Sequence, residues 1–220
     1  MKKTIAAVIG LLLVSAVMIS VAFRIGESKQ FSYKDHLKDT VFELDGEKYT
    51  LEQMNYYIAV QEREVEQQAQ VYNPENTVQY WNIHTNRQYI RKTSKEAVLD
   101  TAIHHMLLSR EAQENGIELT KDEEELAQSN ASDLSYDLED WQKERAGITE
   151  EELCVMARKT VLAEKYQRIL AEENQKNYGS YDYSGKSYKK MLKKHDLVIH
   201  DKLWDEVLIG EVTLDHYGKN

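Results

Sequence analysis

Three times in this chain a threonine is followed, three positions on, by glutamine or glutamate at the head of a periodic apolar run. The stretches are Thr50-Leu51-Glu52-Gln53, Thr120-Lys121-Asp122-Glu123 and Thr149-Glu150-Glu151-Glu152. This capping box satisfies otherwise orphaned backbone N–H groups from both sides, so each stretch marks a helix start. Pro74 is the only proline, leaving little to interrupt a helix once begun. After Thr50, Met54, Tyr57, Ile58, Gln61, Val65 and Ala69 recur at steps of three and four, a narrow stripe opposite a charged face. Tyr72-Asn73-Pro74 ends that helix. Residues 94–115 form the strongest helical pattern, with Val98, Ala102, Ile103, Met106 and Leu107 on one side and Asn115-Gly116 as its stop. The Thr149 box launches a long helix to about Asn174, and Leu134, Leu138 and Trp141 predict a shorter one ending at Ala146-Gly147.

Strand signals are few. Asp45-Gly46 supplies the positive φ angles of a two-residue hairpin between short alternating runs. Leu197-Val198-Ile199-His200 reads as a strand, residues 207–214 as another β-prone run, and residues 188–195 as one or two basic helical turns. Residues 175–186 are polar and tyrosine-rich, a connection. The expected fold is mainly α: a helical domain with a small N-terminal hairpin and short C-terminal strands.

Residues 4–23 carry no charge, follow Lys2 and Lys3, and are closed by Arg24. Twenty residues at helical rise reach about 30 Å, enough for a bilayer core and longer than a usual cleavable signal. Ser20-Val21-Ala22 is nonetheless a passable cleavage site, so residues 1–24 read as anchor or signal segment, 25–40 as spacer and 41–220 as the domain. The basic flank places the bulk of the chain on the extracytoplasmic side. Without Lys2 and Lys3 the chain has 26 basic and 38 acidic residues. Interleaved charge of that balance excludes nucleic acid as a partner. Cys154 has no second cysteine to pair with and reads as a small buried side chain.

Catalytic chemistry finds little footing. There is neither Gly-x-Ser-x-Gly, nor a phosphate loop, nor a dinucleotide fingerprint. His104 and His105, adjacent on a helix, diverge by about 100° and cannot share an ion, one facing the core edge and the other water. No metal site and no cofactor is expected. Aromatic residues crowd one third of the chain, and Tyr and Trp suit surfaces that bind varied peptides as well as ordinary helix junctions.

The order of these features resembles the N-terminal chaperone module of the SurA and PrsA foldases. The resemblance runs from Phe42-Glu43-Leu44-Asp45-Gly46-Glu47-Lys48-Tyr49-Thr50, through His105-Met106-Leu107-Leu108-Ser109-Arg110-Glu111-Ala112 and Asn115-Gly116-Ile117-Glu118-Leu119-Thr120, to Gly147-Ile148-Thr149 and the long helix. In that family a parvulin prolyl isomerase falls between the long helix and the closing segment. Here the interval is residues 175–186, too short for a domain, so isomerase activity is not carried over. The resemblance implies a membrane-anchored holdase for unfolded or newly exported polypeptides. The alternatives are an envelope assembly or adaptor protein that docks one dedicated partner or dimerises, and, more weakly, a peptidyl-prolyl isomerase. Met54, Tyr57, Tyr80, Trp81, Met106 and Trp141 are the expected client-binding residues, since Met and aromatic side chains adapt to different partners. Trp204 and its neighbours are expected to pack on the hairpin and helices of residues 41–115.

Overall fold

Each capping box opens a helix. The computed structural model describes residues 31–216. In chain order it places β1 (Thr40–Leu44), β2 (Glu47–Thr50), α1 (Leu51–Tyr72), α2 (Val78–Trp81), β3 (His84–Thr85) and β4 (Gln88–Tyr89). There follow α3 (Ile90–Glu114), α4 (Lys121–Asp137), α5 (Asp140–Ala146), α6 (Glu150–Glu173), α7 (Lys186–Leu192), β5 (Leu197–Ile199) and α8 (Asp201–Glu206). Gln53 Oε1 accepts from Thr50 N at 2.8 Å, Glu123 Oε2 from Thr120 N at 2.8 Å and Glu152 Oε2 from Thr149 N at 3.2 Å. A fourth box, Glu139 with Gln142, starts α5. The expected helix through Leu134 to Ala146 is therefore two elements: Leu134 belongs to α4, Leu138 takes extended backbone, and α5 ends on left-handed Gly147. Helix α3 begins at Ile90 rather than Ser94, because a tight β3–β4 hairpin feeds straight into it, with Asn86 and Arg87 at positive φ.

α6 is the central helix, touching α1, α3 and α4. Leu153, Met156, Ala157 and Val161 of its stripe are buried, as are Leu107 and Leu108 of α3 and Ala127 and Ala131 of α4. Small side chains on α4 let it lie close, consistent with the dependence of helix spacing on the residues at the contact. Beside the helices lies a three-stranded antiparallel sheet, β2-β1-β5. Phe42 pairs with both Tyr49 and Ile199, and Leu44 with Glu47 and Leu197. The Asp45-Gly46 turn, with φ of 52° and 83°, also holds the chain after α7. Asp45 accepts from Asp196 N at 2.7 Å, from His195 at 2.8 Å and from Arg110, which together keep its carboxyl down at about 2.

Residues 207–214 do not form the expected strand. Their backbone donors converge on Glu62 of α1, whose side chain is fully buried. Glu62 accepts from Gly210 N, from Val212 N at 3.1 Å, and from both the amide and the hydroxyl of Thr213, the amide at 2.6 Å. Amides committed to one carboxylate have no part in a strand ladder. Gly210 sits at φ +91°, and a Cβ there would lie 2.9 Å from the Trp81 ring. Around this cage Arg91 donates to Ile209 O and Glu211, and Lys95 to Asp205 O and Val207 O. Gln142 and Arg145 of α5 hold Thr213 O and Leu214 O. His216 lies between Glu66 and Glu211, at 3.2 and 3.3 Å. Trp204 is buried, with Lys95 5.5 Å over its ring.

Among the described residues no helix is long and apolar enough to cross a membrane; residues 4–23 lie outside them. Cys154 is half-exposed rather than buried, its thiol 3.5 Å from Gln128 Oε1 on the surface between α4 and α6.

Glu62→Gln, which turns an amide donor toward one pair of the converging N–H groups, is expected to lower stability by about 3 kcal/mol, the scale for buried donors left without an acceptor; chemical denaturation measures it. For His216, burial alone lowers the imidazolium pKa, but hydrogen bonds to Glu211 and Glu66 outweigh it and leave the pKa above the ordinary 6.5. The native state then binds this proton more tightly than the unfolded state does. Its contribution is complete below about pH 6.5 and fades as pH rises through the raised native value. Unfolding of the wild type between pH 6 and 9 should show that decline, and His216→Asn should lack it.

Candidate functional site

Buried polar groups separate side chains that hold the fold from those that face outward. His104 is buried and its Nε2 lies 2.8 Å from Tyr181 O. His105 is only partly exposed: it sits beside Tyr57 with Nδ1 3.3 Å from the Thr160 hydroxyl, and burial followed by the neighbouring His104 pushes its pKa down to about 3. Both imidazoles are therefore neutral at physiological pH and act as packing groups. No group of three or more His, Cys, Asp or Glu among the described residues is arranged to hold a metal.

The outward chemistry lies along α4. Its buried side is small (Ala127, Ala131) with Leu134, while Leu126 and Tyr136 on other faces are 50 % and 91 % exposed. Where the C-terminal end of α3 and the loop into α4 meet α6, an open groove of about 600 Å³ is lined by Ile117, Leu119, Val155 and Leu162, with Arg158 and Lys159 among its polar walls. Val155 is 48 % exposed although α6 is otherwise a core helix. The groove floor continues into a cluster of Leu108, Ala112, Leu162, Ala163 and Tyr166, so its apolar side chains rest on packed structure. Arg158 bonds Glu124 at 2.6 Å, and Lys165 bonds Glu123 at 2.7 Å and Glu118 O at 2.9 Å, spanning α6, α4 and the loop between α3 and α4. Lys159 lies 5.8 Å from the Tyr49 ring centroid, and burial lowers its pKa. Across α4 a second, more polar recess of about 430 Å³ has Tyr56, Val60, Arg63 and Tyr136 on its walls. The arrangement offers contact area with adjustable polar rims, and no nucleophile and base are brought together on it.

Most of the residues expected from sequence to bind clients are elsewhere. Met54, Tyr57, Trp81 and Met106 are buried in the core. Met54 and Tyr57 lie on the stripe of α1 that packs inward, Trp81 is wedged against the C-terminal loop and donates Nε1 to Glu66 at 2.9 Å, and Met106 belongs to the core stripe of α3. None lines the groove of Ile117, Leu119, Val155 and Leu162. Tyr80 is half-buried, its ring beside Tyr72 and its hydroxyl on Gln68 at 2.7 Å. Trp141, 36 % exposed, donates to Glu139 at 2.6 Å. The six are not brought to one surface. What reasoning from sequence missed is the off-stripe apolar residue: Val155 sits between the core positions Leu153 and Met156, and Leu126 interrupts an acidic first stretch of helix.

Comparison with protein-family models, with curated proteins and with solved structures gives no match. What is established is the class: a mainly helical domain with short strands.

Trp81→Ala and Met106→Ala should each cost about 2–5 kcal/mol, as large-to-small changes in a core do, whereas Trp141→Ala and Tyr136→Ala should stay within about 1 kcal/mol. Tyr57→Phe should be neutral or stabilising, because the Tyr57 hydroxyl is buried without a well-formed hydrogen bond. Urea unfolding of the five variants checks the set.

Proposed function

We propose that this chain is a membrane-anchored, extracytoplasmic holdase that binds unfolded or newly exported polypeptides without prolyl isomerase activity. The observation that carries the reading is the open groove of Ile117, Leu119, Val155 and Leu162, with half-exposed Leu126 on the neighbouring α4. A soluble domain rarely leaves joined apolar side chains open without a use for them. The lining is aliphatic with two cations and two carboxylates at the walls, a chemistry that accepts apolar segments of varied sequence better than one defined small molecule. Order of motifs supplies the second support, through the resemblance to the chaperone module of the SurA and PrsA foldases. Residues 175–186, where that family carries its isomerase, form only a 3-10 turn, Tyr178–Tyr181, between α6 and α7.

The residues proposed to meet a client are Val155, Leu126, Ile117 and Leu119, in place of the six expected from sequence. Val155→Asp with Leu126→Asp should leave the fold intact, since both side chains are about half exposed. Residues 31–220 should suppress aggregation of two unrelated denatured clients, and the double variant should need on the order of tenfold more protein for the same effect, as loss of the buried apolar contacts implies. Inactivity toward both clients, together with tight capture of one dedicated partner, would favour the adaptor reading instead.

A further inference from the structure

Charge in this chain is unevenly placed. Residues 175–195 hold six lysines and one acidic residue, Asp182, while the remainder has 22 basic against 37 acidic residues. The structure gathers most of this excess on one face. α7 buries Tyr188 and half-buries Met191 and Leu192, and this leaves Lys186, Lys189, Lys190, Lys193 and Lys194 exposed together. None of these lysines, nor Lys176, lies within ion-pair distance of a described carboxylate. Elsewhere lysines are commonly paired, as in Lys92 with Glu96, Lys121 with Glu125 and Lys165 with Glu123. Lys176, Lys190 and Lys194 also surround a cleft of about 590 Å³ whose floor is Tyr166, Leu170 and Met191. One carboxylate, Glu111, reaches this cleft, and it is engaged by His195 Nε2 at 3.5 Å. Beside the lysines, on the connection packed against α7, Tyr178 and Tyr183 stand 47 % and 37 % exposed.

We propose that this lysine face docks the domain on an anionic phospholipid bilayer. Clustered cations without close ion-pair partners are what an anionic lipid surface attracts, and half-exposed tyrosines are amphipathic side chains of the kind that settle at headgroup level. The choice of a bilayer over other polyanions rests on the reading of residues 4–23 as an anchor, since a short spacer then keeps the domain near lipid.

The test uses residues 31–220, whose described part encloses its own core, so that the anchor contributes nothing. Co-sedimentation with vesicles of phosphatidylcholine alone is compared with vesicles that also contain phosphatidylglycerol. Binding should require the anionic lipid and weaken with salt. The triple variant Lys186→Gln, Lys190→Gln, Lys194→Gln should bind about a hundredfold more weakly, near fivefold per lysine at about 1 kcal/mol each. The control Lys48→Gln, Lys92→Gln, Lys121→Gln, with the same change in net charge on other faces, should change binding by less than about threefold by the same reckoning. Equal loss in both variants, equal binding to neutral vesicles, or capture of soluble polyphosphate with no binding to vesicles would each overturn the proposal. Release of the full chain from salt-washed membranes would instead count against the anchor, and leaves the vesicle result to stand by itself.

Discussion

The interaction on which the rest depends is the one between Glu62 and the backbone of residues 210–213. A fully buried carboxylate is costly unless donors surround it, and here three amides and a hydroxyl do so. Burial pushes the Glu62 carboxyl up and the four donors pull it back, with burial the larger effect. The pairing is mutual: without the carboxylate the same amides would be buried with nothing to accept them. It therefore sets the path of the C-terminal loop, which in turn covers Trp81, places Glu211 against Arg91 and His216 against Glu66, and returns Thr213 and Leu214 to α5. α1 is thus not merely one of three long helices; it is the one whose core stripe carries the polar group that organises the other end of the chain.

The parts of the fold legible in sequence are those with local causes. Capping boxes, the Asp45-Gly46 turn and the Pro74 break act within a few residues, and each lies where the local chemistry puts it. The parts not legible are those set by distant partners. Residues 207–214 have strand composition, yet Glu62, about 150 positions earlier in the chain, takes their amides. The signal was present: in the series Met54, Ile58, Glu62, Val65, Ala69, a glutamate occupies a core position, and a charge there demands donors from elsewhere. Of the adjacent His104 and His105 one is expected to face water; instead His104 is buried and His105 is only partly exposed, because Tyr57 and Thr160 from two other helices lie against it.

The candidate site was less legible than the fold, for a related reason. Aromatic and methionine side chains are as useful to a core as to a recognition surface, and on α1, α2 and α3 the core takes Met54, Tyr57, Trp81 and Met106. Exposure was instead given to aliphatic residues that composition does not single out. Val155 and Leu126 lie off the stripes of α6 and α4, and the packing of these two helices leaves both about half exposed. An apolar residue off the stripe of an otherwise amphipathic helix is the more informative sign, because packing gives it nothing.

The sheet and the Glu62 cage carry a consequence for the order in which the molecule can assemble. β1 needs β5, and Glu62 needs residues 210–213, so contacts that close the fold span some 150 residues in sequence. Such closure has a high entropic threshold and is slow relative to helix formation. A chain emerging from its N-terminal end can form α1, α3 and α6 early, but it holds an unaccompanied acidic side chain on the inward stripe of α1 until residue 213 is free to reach it. During synthesis the helices would remain loosely associated, and the completed core would arrive in a single late step. A protein built this way closes its core only once nearly the whole chain has been made.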